Sequence, residues 1–425
     1  VAEELAAYRA ELGFSPEVIA LADLPAETDA LLEAVQAHVL AAADPELPTY
    51  LVLLGDAGEP VDDRIPAIAC ENDHGQCYTD NRYADVDGDR IPDAAVGRIP
   101  AQSVEQARAY VAKLQRHEQE TLPGPWNRRF VLYASQAGFG PEIEIVLEYV
   151  MLEGLAAVDP AFEIIGLYDN PRSVFYYTPF EERVEALYNA GSVLTMYVGH
   201  GSADETEGLS VETLDAISCE DRMPIVAFFA CNNGRYAGEQ DSLAEAVLWK
   251  ADGPIAAFAG TGVTHPYANA VGPYEFQRAM FSGAHTTLGP AVVAAKRAAF
   301  EPTEDPIRTL IDAYAIIYEL DDQADELLRQ SLDLYNLMGD PAVSLGLPDG
   351  RATVDVTAGS VSAGALSISG TTPGIETGRA TVSLEVPRNV VLNEPDEIDS
   401  ENPDPAVVQA NWVRTIDTRV VETQV

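Results

Sequence analysis

The chain has 425 residues, more than one typical domain needs, which predicts two or three structural units. Its apolar fraction of 47% allows a sizeable core, while 69 acidic residues against 25 basic ones give a net charge of −44. A surface this acidic repels nucleic acid and anionic membranes, so we expect neither as a partner. No apolar stretch reaches the ~18 residues of a membrane-spanning helix, and we expect no membrane insertion.

The first part of the chain alternates helix-like and strand-like patterns. Three stretches have the apolar spacing of an amphipathic helix: residues 3–12, 26–43 and 102–120. The short apolar run at 50–54 ends at a glycine and predicts a buried strand. A Pro-Gly-Pro sequence at 123–125 predicts a boundary, so we assign residues 1–124 to an N-terminal α/β subdomain.

An acidic loop in this subdomain carries carboxylates at alternate positions around a glycine. The carboxylates belong to Asp85, Asp87, Asp89 and Asp93, and Gly88 permits a sharp turn between them. Because calcium prefers many oxygen ligands, this spacing predicts a structural calcium site. The loop lacks the glutamate that closes an EF-hand, and an acidic surface turn without an ion is the alternative.

The sequence contains four cysteines, too few for a disulfide scaffold. Cys70 and Cys77 flank a polar loop, and an oxidising compartment would allow a local disulfide between them. Cys219 precedes acidic residues and is expected to be structural or inert. The cysteine count alone leaves the redox compartment open.

Two apolar runs later in the chain each end in one reactive residue. The runs at 193–198 and 225–230 predict neighbouring buried parallel strands, and they lead to His200 and Cys231. Ligands bind at the carboxyl ends of such strands, and a thiol and an imidazole placed there can act as nucleophile and base. The N–H groups of Gly201 and Cys231 are candidates for an oxyanion hole. A buried structural cysteine and a hydrogen-bonded histidine are the alternative.

The alternation of strands and helices continues to residue 348 and then stops. It predicts a mostly parallel sheet flanked by helices, and we assign 125–348 to a catalytic α/β subdomain. Residues 351–425 lose helical spacing and contain alternating runs. These runs favour an all-β sandwich over 349–425, which we expect to be truncated by the end of the sequence.

The two reactive residues lie in blocks that resemble the clan of caspases, legumain and gingipains, namely an apolar run before His200-Gly201 and another before Ala230-Cys231. The wider sequence is similar to the gingipains. Three blocks carry this resemblance, around their catalytic histidine, around their nucleophile and at the end of their catalytic domain: residues 197–202, 230–234 and 336–341. The resemblance covers residues 3–347. It implies a caspase-like sheet in two subdomains, followed by a partial immunoglobulin-like sandwich.

The resemblance also implies a cysteine endopeptidase that works through an acyl-enzyme. Cys231 is then the nucleophile, His200 is base and acid, and Gly201 and Cys231 supply the oxyanion hole. In the gingipains an acidic residue after an Ala-Ser strand end is thought to support the histidine. Here Gln136 follows Ala134-Ser135, so we expect Gln136 or a backbone carbonyl to orient His200.

Gingipains cut after Arg or Lys by means of an acidic residue on the segment after that serine. In this chain the candidates are Glu142 and Glu144, and a solvated first helical turn is the alternative. The opposite wall of the substrate pocket is predicted to contain three further residues: Thr261, His265 and Tyr267. His265 is a rival base, but its proline-bounded loop favours a place in the pocket lining. As an extension of the peptidase interpretation, we expect cleavage after basic residues.

We therefore predict a secreted or cell-surface, gingipain-like cysteine peptidase that acts on protein or peptide substrates. Calcium is its expected cofactor, and no organic cofactor is expected. The sequence does not indicate an oligomeric state. The alternative is a catalytically silent, calcium-stabilised scaffold or adhesion module of a larger surface protein. The missing acid after Ser135 favours this alternative, and the intact His-Gly and Ala-Cys blocks argue against it. Transpeptidation by the same pair is a third possibility.

Overall fold

Sixteen strands and eleven α-helices are found in the described part of this computed structural model. It describes residues 1–57, 64–72, 75–138, 140–317, 320, 323–348, 355–362, 365–371, 382–391, 393–400, 402–415 and 420–424. The strands are β1 (Tyr50–Leu54), β2 (Ile68–Asn72), β3 (Gly75–Thr79), β4 (Ala95–Ile99), β5 (Arg129–Ser135), β6 (Glu163–Asp169), β7 (Leu194–Val198), β8 (Glu205–Thr206), β9 (Leu209–Ser210), β10 (Ile225–Phe229), β11 (Ala256–Gly260), β12 (Tyr335–Met338), β13 (Asp355–Ser362), β14 (Ala365–Thr371), β15 (Val382–Glu385) and β16 (Val420–Gln424).

The helices confirm the three amphipathic patterns of the first subdomain and continue through the catalytic part. They are α1 (Ala2–Glu11), α2 (Thr28–Ala42), α3 (Val104–Gln115), α4 (Pro141–Ala157), α5 (Phe180–Ala190), α6 (Leu243–Trp249), α7 (Ala268–Phe281), α8 (Leu288–Ala298), α9 (Pro306–Ile317), α10 (Ala324–Leu334) and α11 (Pro405–Thr415). None of the helices in the described ranges is long and apolar enough to cross a membrane.

One eight-stranded sheet organises the protein, in the order β1-β4-β12-β11-β10-β7-β5-β6. Every neighbouring pair is parallel except β11 and β12, so the predicted mostly parallel sheet is confirmed. β1 and β4 of the predicted N-terminal subdomain thus join the same sheet as the catalytic strands. The subdomain boundaries at residues 124 and 348 stay predictions.

The central strands are apolar along their whole length because both faces of the sheet are covered. Every residue of β10 and β11 is buried, and helices α6, α7 and α8 pack against strands of the sheet. Two-sided burial removes the apolar–polar alternation typical of a half-exposed strand. The same burial ends abruptly at the carboxyl ends of β7 and β10, where the chain turns into loops.

The C-terminal segment is only partly β-structure. β13 pairs with β14 and β15 with β16, both antiparallel, but α11 lies between these pairs. The prediction that residues 351–425 lack helical structure is therefore wrong at this point. Proline at the first helical position suits the start of α11, and its buried Trp412 packs edge-on against Tyr177 at 5.6 Å. The immunoglobulin-like sandwich stays a prediction.

Candidate active site

His200 and Cys231 occupy equivalent positions at the ends of two adjacent strands. β7 and β10 pair in parallel, with Val198 opposite Phe229, and each reactive residue follows its strand by two positions. The N–H of Gly199 donates to the Phe229 carbonyl at 3.2 Å, which extends the pairing towards the site. Both side chains line one cavity, as the sequence predicted for the carboxyl edge of the sheet.

The two loops that carry these residues are in direct contact. A Cβ atom built at Gly201 would lie 3.0 Å from Ala230 Cβ and 2.5 Å from Asn233 Oδ1, so only glycine allows this approach. Asn233 is fully buried, and its Nδ2 donates to the carbonyls of Ser202 at 2.6 Å and Glu205 at 2.9 Å. The loop after Cys231 therefore holds the loop after His200.

A closed set of hydrogen bonds fixes the backbone of His200. The His200 N–H donates to Ser135 Oγ at 3.2 Å, and the Tyr197 hydroxyl donates to the His200 carbonyl at 2.7 Å. Ser135 Oγ and Tyr197 Oη are 2.9 Å apart. Because the tyrosine hydroxyl has a single proton, Ser135 must donate in this third bond. Both polar groups of the His200 backbone are thus held by side chains from β5 and β7.

A backbone carbonyl orients the imidazole, which was one of the two expected arrangements. His200 Nε2 lies 3.1 Å from the carbonyl oxygen of Ala137, whereas Gln136 is exposed and donates to the Asp169 carbonyl at 3.0 Å. A carbonyl oxygen can only accept, so Nε2 carries the proton in this hydrogen bond. In the neutral ring Nδ1 then has the free electron pair and is the basic nitrogen.

The sulfur of Cys231 is positioned by the loop after β11. Thr264 places its N–H 3.4 Å and its hydroxyl oxygen 3.5 Å from Sγ. Asn269 Nδ2 donates to Thr264 Oγ1 at 2.8 Å, and Tyr335 donates its hydroxyl proton to Asn269 Oδ1 at 2.6 Å. Since Thr264 Oγ1 accepts from Asn269, its own proton is available to the sulfur.

The cavity at this site has a volume of ≈510 Å³ and walls that are largely apolar. Helix α4 contributes the side chains of Val146, Leu147, Val150 and Met151. The described lining contains no aspartate, glutamate, lysine or arginine. The site therefore joins a thiol and an imidazole to an uncharged recess.

A second cleft of ≈820 Å³ lies on the other side of His200 and has the opposite character. It is lined by His200, Gly201 and the carboxylates of α5 and of residues 205–215, but Cys231 is not part of its lining. Burial, together with the nearby carboxylates of Glu207 and Glu181, raises the pKa of Asp169 to about 6. The region beside this cleft is therefore strongly negative.

Of the two glutamates predicted to give basic specificity, Glu144 lies outside the cavity lining. Glu144 is buried and does not line the cavity: Oε1 accepts the Gly138 N–H at 2.9 Å, and Oε2 accepts the Tyr168 hydroxyl. The side chain of Glu142 lies outside the described residues. Glu144 thus anchors the loop at 138 to β6 and is engaged at both oxygens.

The predicted opposite wall is only partly formed by the expected residues. His265 lines the cavity, and its Nδ1 accepts the Tyr267 N–H at 3.1 Å, which makes this nitrogen unsuited to act as a base. Thr261 is buried beneath the wall and donates to the Tyr78 carbonyl at 2.5 Å. Tyr267 is buried too, and its hydroxyl donates to Asp312 at 2.8 Å. Thr261 and Tyr267 support the wall and do not face the cavity.

The remaining cysteines match their predictions. Cys70 and Cys77 form a disulfide across the paired strands β2 and β3. Burial raises the pKa of the Cys219 thiol to about 12, so this cysteine stays protonated at neutral pH. Cys231 is the partly exposed free cysteine of the described chain.

Three of the four aspartates of the acidic loop come together. Carboxylate oxygens of Asp85, Asp87 and Asp89 lie within 4.8 Å of one another. Asp93 instead accepts the Val86 N–H at 2.8 Å through Oδ2. Burial raises the pKa of Asp85, and its neighbours Asp89 and Asp87 add to this effect.

Four residues around His200 and Cys231 were not singled out as site residues by the sequence analysis: Ser135, Tyr197, Thr264 and Asn269. Ser135 and Tyr197 sit inside apolar strand patterns, and Thr264 and Asn269 follow a different strand from Cys231. The signal that remains in the sequence is a polar residue at a strand end, which is weak without the fold.

A thiol and an imidazole at the ends of adjacent parallel strands are the groups that a cysteine peptidase uses as nucleophile and base. The sequence profile of peptidase family C25 matches residues 1–346, so the chain belongs to this family and is a gingipain-like cysteine peptidase. No curated protein shows significant sequence similarity to it.

Solved structures show the same fold at low sequence identity. The crystal structure of the Arg-specific cysteine proteinase gingipain R (RGPB) has a TM-score of 0.61 and 18% identity over 83% of this chain and 77% of that chain. A complex of Porphyromonas gingivalis RgpB pro- and mature domains has a TM-score of 0.63 and 17% identity, covering 83% and 79%. A structure described as a protease has a TM-score of 0.61 and 16% identity, covering 90% and 81%.

Proposed function

We propose that Cys231 and His200 are the catalytic dyad of this peptidase. The observation that carries the proposal is the hydrogen bond from His200 Nε2 to the Ala137 carbonyl, at the strand end next to that of Cys231. This bond leaves Nδ1 free to take the thiol proton, and the resulting thiolate attacks the scissile carbonyl. The imidazolium then gives its proton to the leaving amine, and water releases the acyl group from sulfur.

The backbone N–H groups of Gly201 and Cys231 are proposed as the oxyanion hole. This proposal is supported by the contact of Gly201 with the side chains of Ala230 and Asn233, which keeps the loop after His200 against the loop after Cys231. Donors fixed in this way stabilise the charge of the tetrahedral intermediate without reorganising during the reaction. Asn233 is a positioning residue here, because it holds the His200 loop through two carbonyls.

Substituting each free cysteine separately tests the dyad. Cys231→Ala should abolish peptide cleavage and reaction with iodoacetamide, while Cys219→Ala serves as the matched control, since Cys219 is buried. His200→Ala should lower kcat by at least about a hundred-fold. A folded wild-type protein that neither cleaves peptides nor reacts at Cys231 would instead support the silent scaffold.

The specificity for basic residues is not supported by the described cavity. Glu144 is engaged by Gly138 and Tyr168, and no other carboxylate of the described chain lines the recess. Glu142 is the remaining candidate for a counter-charge, and its side chain lies outside the described residues. The substrate class proposed at this stage is therefore proteins or peptides, without a basic preference.

We also propose that the acidic loop binds calcium in a structural role. Support comes from the convergence of three carboxylates within 4.8 Å, which suits the oxygen ligands of this ion. Calcium should raise Tm in a chelator-treated sample, and the double variant Asp87→Asn/Asp89→Asn should lose this response. An unchanged response in the double variant would place the ion elsewhere.

A secreted or cell-surface location is proposed together with a C-terminal immunoglobulin-like sandwich. The disulfide between β2 and β3 supports the location, because such bonds persist in oxidising compartments. The antiparallel pairs β13–β14 and β15–β16 are compatible with the sandwich. Non-reducing mass spectrometry of the native protein tests the first proposal through the state of Cys70 and Cys77.

A further inference from the structure

The residues that line the uncharged cavity indicate which part of the substrate it would bind. Cys231, whose sulfur would carry the acyl group, lines this cavity together with His200. The acidic cleft is lined by His200 and not by Cys231. In the mechanism proposed above, the acyl half of the substrate is attached to sulfur while the imidazole faces the leaving amine. The residue before the scissile bond therefore lies next to the uncharged cavity.

The far wall of this cavity is formed by α4 and α7 and carries one buried amide. Gln277 is 3% exposed and lines the cavity, and its side-chain amide makes no hydrogen bond within the described ranges. Its Nε2 would lie 2.9 Å from a Cβ atom built at Gly154, so the amide sits directly against the glycine of α4. Val150, Met151 and Ile311 surround this part of the recess with apolar surface.

These walls discriminate strongly against a charged side chain. An ammonium or guanidinium group that enters the cavity loses its water and meets no carboxylate of the described lining. A large apolar or aromatic side chain gains from leaving water, and the amide of Gln277 can meet a neutral polar end such as a hydroxyl. Electrostatics and burial thus favour the same class of substrate.

We propose that this cavity receives the side chain before the scissile bond and selects large uncharged residues, such as Leu, Met, Phe and Tyr, over Arg and Lys. This inference rests on the proposed Cys231–His200 dyad. Gln277 acts as a specificity-determining residue, because its buried side-chain amide lines the recess and has no hydrogen-bond partner among the described residues.

A peptide library that varies only the residue before the scissile bond tests the inference. Wild-type protein should cleave after Leu, Met, Phe or Tyr with kcat/KM about a hundred-fold above that for Arg or Lys. The near-isosteric variant Gln277→Glu places a carboxylate in the recess and should raise the ratio of Arg to Leu cleavage at least about ten-fold. The matched variant Gln277→Leu should keep the preference for apolar residues.

A second variant, which adds no charge, tests the inference if Gln277→Glu does not fold. Gly154→Ala narrows the recess at the contact with Gln277 and should lower kcat/KM for Phe and Tyr more than for smaller apolar residues. Wild-type cleavage that depends on Cys231 but prefers Arg or Lys would overturn the inference and leave the proposed function intact. Unchanged ratios in both variants would also overturn it. No Cys231-dependent cleavage of any peptide would overturn the proposed function itself.

Discussion

His200 is held by hydrogen bonds at three points, and each point comes from a different residue. Its N–H is fixed by Ser135, its carbonyl by Tyr197 and its ring by the Ala137 carbonyl. None of these partners is a carboxylate. Within the described ranges the histidine is therefore positioned without an acidic third residue, and Gln136, the side chain expected in that place, donates to the Asp169 carbonyl.

The hydroxyl of Tyr197 should matter for turnover although it touches no substrate. Tyr197→Phe leaves the His200 carbonyl without its donor, and we expect kcat to fall about ten- to a hundred-fold with little change in KM. Tyr83→Phe is the matched control, because Tyr83 is also buried and its hydroxyl donates to the Pro66 carbonyl at 2.9 Å, in the first part of the chain. Equal losses of kcat in both variants would mean a general packing effect.

At this scale the sequence predicts the reactive residues better than their partners. An apolar run that stops at His200 or Cys231 is visible in the chain, because two-sided burial leaves a continuous pattern. Thr264 lies 33 residues from Cys231 and reaches its sulfur only through the pairing of β10 with β11. Such contacts depend on the register between strands, which no local pattern encodes.

The hairpin β2–β3 supports the loop that positions Cys231. Asn72 Nδ2 donates to the Val263 carbonyl at 2.7 Å, and a Cβ atom built at Gly262 would lie 3.0 Å from Cys77 Cβ. The disulfide between Cys70 and Cys77 joins the two strands of this hairpin. The N-terminal part of the chain thus contacts the loop that carries Thr264 through this hairpin.

Removal of this disulfide should lower activity as well as stability. The variant Cys70→Ser/Cys77→Ser should lose about 2 kcal/mol of unfolding free energy, as expected for a short closed loop. At temperatures below the unfolding transition we expect kcat/KM to fall several-fold, because the loop at Thr264 loses its support. Cys219→Ala is the control for cysteine loss elsewhere. Full activity in a destabilised double variant would contradict the proposed support.

The start of helix α6 should give the protein a titration near neutral pH. Glu245 accepts the Ser242 N–H at 2.8 Å and its hydroxyl at 2.7 Å, and burial raises the pKa of Glu245 from 4.5 to about 7. Between these values the folded state holds a proton that the unfolded state has lost. The contribution of Glu245 to the stability of the folded state is therefore present below about pH 4.5 and is lost as the pH rises through 7.

Glu245→Gln should remove this dependence because the amide does not titrate. Denaturant unfolding from pH 4.5 to 7 should show a smaller decline of stability in the variant, by at most about 1.4 kcal/mol per pH unit. The exposed residue Glu239 offers a control, and Glu239→Gln should keep the wild-type slope. Parallel curves for Glu245→Gln and wild type would exclude Glu245 as the source.

At the scale of elements, helices α1 to α3 and the central parallel strands followed from the sequence, but strand β12 and helix α11 did not. The antiparallel step between β11 and β12 depends on where the chain returns after α10, and nothing in residues 335–338 signals direction. Helix α11 was missed because two of its four buried residues, Asn411 and Thr415, are polar, and because its buried Trp412 packs edge-on against the distant Tyr177. Tertiary contacts decided both cases.

Over the whole molecule, two of the three lysines form internal hydrogen bonds and leave the surface. Lys113 is buried and donates from Nζ to several carbonyls, including those of Lys250 and Pro254 at 2.7 Å. Lys296 is also buried and donates to the carbonyls of Leu332 and Tyr335. The surface keeps the strong acidic excess of the composition, and its acidic groups repel one another.

Salt should consequently stabilise the folded protein at neutral pH. Screening shortens the reach of the repulsion from about 10 Å at 0.1 M salt to about 3 Å at 1 M, and the compact state benefits more than the extended chain. We expect Tm to rise by several degrees over this range at pH 7, in the presence of chelator so that divalent ions do not contribute. Near the isoelectric point of ≈4.2 the net charge vanishes, and the same addition should have a much smaller effect. Equal salt effects at both pH values would show that preferential exclusion of salt, and not charge repulsion, governs the response.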